Sequence, residues 1–156
     1  MVKNNSVILS YSRTPFGSFL GKLSKLPASY LGSCAIKGVL KGSKVSPSNI
    51  DEVIMGNVLS AGVGQAPARQ AAIFAGLDSS THCMTINKVC GSGMKAIMLA
   101  DQNIKLNQSR FTIAGGMESM SNAPHYLTNS RIGTKLGDIK QIDGMVHDGL
   151  WDVYNQ

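Results

Sequence analysis

Short apolar runs alternate with stretches of helical spacing along most of the chain, and clusters of glycine, proline and serine separate them. Val7, Ile8 and Leu9 stand together between Ser6 and Ser12, which predicts a buried first strand. A long loop over Arg13–Pro27 follows, and its spaced aromatics and leucines suit packing on the surface. From Ala28 to about Lys41, Leu31, Cys34, Ala35, Ile36, Val39 and Leu40 recur with helical period, with Gly42 as the expected stop. Val53, Ile54, Met55 and Val58 mark a second strand over Glu52–Leu59. The glycine loop Gly62–Gln70 leads into a second helix through Ala71, Ala72, Ile73 and Phe74, with Pro67 suited to its first turn. His82–Ile86 predicts the third strand, a helix runs from there to about Asn107, and Arg110–Ala114 predicts the fourth strand. This alternation predicts an α/β domain on a parallel sheet.

After Pro124 the alternation stops. Arg131–Asp143 alternates apolar and polar residues around glycines, as an exposed hairpin would, and such hairpins often serve subunit contacts. Gly144–Tyr154, with Met145, Val146, Leu150, Trp151, Val153 and Tyr154, predicts a short helix or lid segment whose apolar face needs a partner.

Composition narrows the class. The 156 residues suffice for one domain with a core, and 43% apolar with 15% charged residues describe a soluble globular protein. No run of about eighteen apolar residues exists to span a membrane. The start at Met1–Ser6 leads into an apolar strand without a hydrophobic signal region, which points to the cytoplasm. Cys34, Cys83 and Cys90 lack CxxC spacing and are odd in number, so reduced thiols are expected rather than disulfides or a zinc site. The net charge of +6 suits nucleic acid or an anionic small molecule. Dispersed Lys and Arg without a recognition motif argue against the nucleic acid.

The candidate chemistry lies in Thr85–Ala100, which reads as a strand end, a sharp turn and a helix. Cys90 sits at the turn. A cysteine at a helix N-terminus faces unpaired N–H groups and the positive end of the helix dipole, both of which favour thiolate. Gly91, Ser92 and Gly93 add little bulk, so a substrate carbonyl could reach the sulfur and lie against a backbone N–H. The geometry resembles a nucleophile elbow. The following helix is apolar nearly all round until Asp101, and is expected to be buried between layers. The loop leaving the fourth strand, with Met117 and Glu118, gathers with the other strand-to-helix turns in such sheets. Glu118 is therefore a candidate neighbour of Cys90, or a carboxylate anchoring its own loop. The Gly62–Gln70 loop could cradle phosphate or serve as a structural turn, and it lacks both the P-loop and the full GxGxxG pattern.

Five blocks in register carry a family resemblance: Arg13–Phe19; Gly56–Leu59 with Gly64–Ala71; Asn87–Ala96; Gly115–Ser121; and Asp148–Asp152. The chain resembles the thiolases, and within them those that interconvert two acetyl-CoA with acetoacetyl-CoA and coenzyme A. The resemblance implies an α/β thiolase-like fold. Residues 1–121 would form the N-terminal domain, its sheet covered by helices on both faces, and residues 122–156 would start a loop domain. It implies Cys90 as the nucleophile that takes the acetyl group as a thioester, with its N–H in an oxyanion hole. Asn87, Gly91, Ser92 and Gly93 would support the nucleophile turn, Met117 and Glu118 would belong to an active-site loop, and Leu150 would line the pantetheine tunnel. Neither a cofactor nor a metal is implied, since coenzyme A thioesters are substrates. The Arg131–Asp143 hairpin resembles the cationic loop through which biosynthetic thiolases form tetramers.

A complete thiolase also has a Gly-His-Pro histidine, a second cysteine and an Asn-Glu-Ala-Phe asparagine, and these motifs are not found in the 156 residues. His82, His125 and His147 are poorly placed to substitute as the base. The expectation is an N-terminal portion of a thiolase, lacking the C-terminal domain. Longer-chain 3-ketoacyl-CoA thiolases of fatty-acid β-oxidation are the near alternative. A fragment acting only in subunit association is another.

Overall fold

The computed structural model describes residues 5–155; Met1–Asn4 of the polar start and the final Gln156 lie outside the described residues. Three parallel strands form the central sheet: β1 (Glu52–Gly56), β2 (His82–Ile86) and β3 (Thr112–Gly116), in the order β2-β1-β3. Val53 stands opposite Cys83 on one side and Ile113 on the other. The central strand is apolar on both faces because both are covered. Val53, Met55 and Ile113 pack with helices α1 (Ala28–Ser43) and α2 (Pro67–Ala75). Ile54 turns the other way, onto Ala96 and Ala100 of α3 (Ser92–Lys105).

Small residues set the spacing on the first face. Ala68, Ala71, Ala72 and Ala75 of α2 are buried together with Ala28, Gly32, Ser33 and Ile36 of α1. Pro67 occupies the start of α2 as expected. Gly42 does not stop α1, which runs on to Ser43 and closes at Lys44 in the left-handed region (φ 59°), with the Lys44 N–H on the Leu40 carbonyl. Gly38 and Gly42 lie one turn apart, and Cβ atoms there would collide with Ser12 and Ser10. The N-terminal segment rests in the shallow groove they leave.

That segment is the main departure from expectation. Ser6–Ser12 joins no ladder, and Val7 and Ile8 are 71% and 84% exposed. Ser10 and Ser12 sit against α1, and Ser6 donates a hydrogen bond to Asp101 of α3. A cavity of about 330 Å³ lies among this segment, α1, α3 and Phe111–Ala114, so the apolar run faces open space along β3. Similarly, α3 buries only Ser92, Ala96 and Ala100, because one sheet face is all it packs on, and Met94 (66% exposed) and Ile97 (54%) remain uncovered.

Two strand boundaries move for one reason: side-chain carboxylates take the backbone groups instead of the ladder. β3 begins at Thr112 rather than Arg110 because Arg110 and Phe111 donate their N–H groups to Asp51 Oδ2, at 2.7 and 3.0 Å. β1 ends at Gly56 rather than Leu59 because the Val58 and Leu59 N–H groups donate to Glu118.

The hairpin expected within Arg131–Asp143 is displaced. The antiparallel pair is β4 (His125–Leu127) with β5 (Gln141–Asp143), facing Tyr126 to Ile142 across the ladder. Both residues are half-buried, and that cross-strand contact decides the register. Residues 128–140 form the connecting loop, with Gly133 and Gly137 in the left-handed region. Val146–Leu150 makes a single turn of π-helix, stacking His147 on Trp151 at 5.3 Å.

Two outcomes follow from these contacts. Alanine in place of a helical glycine ordinarily stabilises by about 0.5–1 kcal/mol. Gly42→Ala should show that gain in urea unfolding, since the Ser10 hydroxyl can turn aside. Gly38→Ala should lose it and speed amide exchange at Ser10–Ser12, because there the Ser12 Cβ itself would lie 2.9 Å from the new methyl. The Phe111 and Arg110 amides, in that order, hold the Asp51 carboxyl below its ordinary 3.8 against a smaller opposing effect of burial. A carboxyl depressed on folding stabilises above its unfolded value and loses that contribution as pH falls through the folded one. Asp51→Asn should therefore lower the melting temperature at pH 7, with the gap to the parent narrowing as pH falls below 3.8.

Candidate active site

The carboxyl ends of the three parallel strands converge on the start of α3. Gly56 ends β1, and a Cβ there would lie 2.6 Å from Ser92 Cβ and 2.9 Å from the Gly93 nitrogen, so only glycine admits the helix so close. A Cβ at Gly116 would reach the Gly93 backbone at 3.5 Å, so α3 lies about one methyl group from β3 there. The Asn57 N–H donates to the Ile86 carbonyl (3.0 Å) and the Met117 N–H to the Gly56 carbonyl (2.9 Å), tying the strand exits together.

Cys90 stands on the turn between β2 and α3, exposed, one residue before the helix cap at Gly91. The turn is tightly specified. Asn87 Oδ1 accepts the Val89 N–H (2.8 Å), the Gly91 N–H donates to the Lys88 carbonyl (3.1 Å), and the Ser92 N–H donates to the Val89 carbonyl (3.1 Å). Ser92 Oγ accepts the Lys88 N–H (2.8 Å) and donates to the Val89 carbonyl (2.6 Å). Val89 is held in the left-handed region (φ 47°), where a β-branched residue is strained. The Cys90 N–H donates to no partner among the described residues, which leaves a backbone donor beside the sulfur.

The sequence-derived site residues divide. Asn87, Gly91 and Ser92 make hydrogen bonds of the turn, and Gly93 follows in the first turn of α3. Met117 and Glu118 serve the scaffold instead. Met117 is buried in the cluster between the sheet and α1. Glu118 accepts from Asn57 Nδ2 (2.6 Å) and from the N–H groups of Val58 (2.8 Å) and Leu59 (3.1 Å), so it clamps the β3 exit loop to the β1 exit loop. Asn57, 2% exposed and central to that clamp, was not singled out by sequence. Its only signal is a polar residue directly after the apolar run Val53–Met55 and Gly56.

Other candidates are set apart. Leu150 is 60% exposed at the end of the π-helical turn. His82 lies at the amino end of β2, the far end from Cys90, while His125 pairs across the β4–β5 ladder and His147 stacks on Trp151. The Gly62–Gln70 loop is closed on itself by Gln70 Nε2, which donates to the carbonyls of Val63 (3.0 Å) and Gln65 (2.8 Å), as a structural turn would be. Cys34 is exposed on α1, and burial pushes the Cys83 thiol up from its ordinary 9.0. A second cavity of about 370 Å³ runs between the Ser12–Phe19 loop and Gly116–Ser121, and Cys90 does not line it.

Fold and turn together define an α/β domain that presents a free thiol at a strand–turn–helix junction, on the carboxyl edge of a parallel sheet. A family model described as "Thiolase, N-terminal domain" matches residues 6–156, and the chain belongs to the thiolase family. It is 57% identical over 148 residues to Acetyl-CoA acetyltransferase 2 of Arabidopsis thaliana, covering 95% of this chain and 37% of that protein. It is 55% identical over 150 residues to the Acetyl-CoA acetyltransferase of Cupriavidus necator, covering 96% and 38%. To the mitochondrial Acetyl-CoA acetyltransferase of Homo sapiens it is 53% identical over 150 residues, covering 96% and 35%. The chain thus spans little more than a third of the length of these relatives.

The Glu118 clamp gives a direct test. Glu118→Ala leaves the Val58 and Leu59 N–H groups without their acceptor, and leaves the buried Asn57 amide only its longer bond to the Met117 carbonyl (3.3 Å), so it should destabilise by about 1–3 kcal/mol in urea unfolding. Glu118→Gln should recover part of that loss, since one oxygen acceptor remains.

Proposed function

We propose that this chain is the nucleophile-bearing part of an acetyl-CoA acetyltransferase, with Cys90 carrying the acetyl group between two coenzyme A thioesters. The observation that carries the reading is the exposed Cys90 on its locked turn, beside its own N–H, which donates to no partner among the described residues. The names of the relatives support acetyl-CoA as the substrate and favour it over longer 3-ketoacyl thioesters.

In this reading the Cys90 sulfur attacks the acetyl carbonyl carbon, and the carbonyl oxygen takes up the charge against the Cys90 N–H. Collapse breaks the bond to coenzyme A, which leaves as its thiolate and collects the thiol proton. A second acetyl-CoA, deprotonated at its methyl carbon, then attacks the thioester, releasing acetoacetyl-CoA and the free Cys90. The base and the second acid–base group are assigned to the two-thirds of the relatives' length outside this match. Each such group typically contributes about 10²–10⁴ in rate, so the chain by itself should acetylate slowly. The loop over residues 128–140, with Arg131, Lys135 and Lys140, is proposed as the subunit contact of a tetramer.

Intact mass after incubation with acetyl-CoA tests the reading. One acetyl group should be gained by the parent chain and none by Cys90→Ser. A folded parent that gains none, even when a polypeptide supplying the remaining two-thirds of an acetyl-CoA acetyltransferase is added, overturns it.

A further inference from the structure

Ser92 stands out as a hydroxyl that does two things at once where neither is required by the helix. It is 4% exposed, buried against Gly56, and it heads α3 without making a side-chain cap bond to that helix. Both its hydrogen bonds go backwards, into the Lys88–Val89 peptide region just ahead of Cys90. That region contains Val89 in the left-handed conformation, which costs a β-branched side chain roughly a factor of ten in population. Asn87 supplies one further bond to the Val89 N–H from the exposed side. No other side chain holds the turn among the described residues.

We propose that Ser92 is a positioning residue for the Cys90 thiol, acting by holding Val89 in its left-handed conformation so that the Cys90 sulfur and N–H face the same side of the turn. The role rests on the reading of Cys90 as the nucleophile, and it assigns to Ser92 no contact with substrate. Gly56 makes it possible: without a Cβ, β1 lets the hydroxymethyl group sit below the turn and reach two backbone groups at once.

Glycine adopts the left-handed region without strain, so Val89→Gly should make the Ser92 lock unnecessary. The test is iodoacetamide alkylation of the folded chain, resolved by cysteine, with exposed Cys34 as the internal standard. Ser92→Ala should lower the Cys90-to-Cys34 rate ratio by about tenfold, matching the population it no longer enforces. The double variant Ser92→Ala/Val89→Gly should restore it. An unchanged ratio in Ser92→Ala, or a folded double variant that is not restored, overturns the proposal. If Ser92→Ala unfolds, seen as half-buried Cys83 alkylating as fast as Cys34, the comparison is made between Val89→Gly and the double variant. Equal ratios are then expected, and a tenfold gap overturns the proposal. The alkylation requires no acyl transfer, so its outcome is independent of whether acetyl-CoA ever loads Cys90.

Discussion

The contact between the end of β1 and the start of α3 is the constraint on which the candidate site depends. At Gly56 the strand backbone meets Ser92 and Gly93 with no side chain between. Any Cβ at Gly56 would lift α3 off the sheet, and the turn carrying Cys90 would lift with it. The close approach also buries Ser92, which is why its hydroxyl spends both hydrogen bonds on the turn rather than on water. Cys90 is thereby placed by the sheet.

A second layer of constraint ties the strand exits to one another. Asp51 holds the entry to β3 and Glu118 holds the exit from β1, each carboxylate collecting backbone N–H groups that the ladder leaves unpaired. These two clamps lie at opposite ends of the same pair of strands. They fix how far β1 and β3 run together, and so fix the level at which Gly56 and Gly116 meet α3. Charge-assisted bonds of this kind are stronger than neutral ones, which suits them to setting a boundary.

The domain is finished on one side and open on the other. The alanine-rich packing of α2 between the sheet and α1 excludes solvent, whereas the outer face of α3 and the apolar run at Val7–Leu9 stay exposed.

Local pattern was enough for much of this. The His82–Ile86 strand, the Pro67 start of α2, the turn at Cys90 and the α/β alternation were legible because each depends on neighbours within a few residues. Hydrophobic period, a fixed proline φ and small residues at a turn all act at that range. The five blocks in register made the family legible as well. What the sequence left undecided depends on groups far apart in the chain. Glu118 reads equally as active-site neighbour or anchor until its partners, some 60 residues away at Asn57–Leu59, are in place. Gly42 reads as a helix stop, and only the docked Ser10–Ser12 segment shows it to form a groove with Gly38. Ser6–Ser12 has the pattern of a strand, but a strand exists only where a neighbour offers its backbone, and here the space beside β3 is open. Sequence determined which segments could form each element, and tertiary structure decided where their unpaired backbone groups would go.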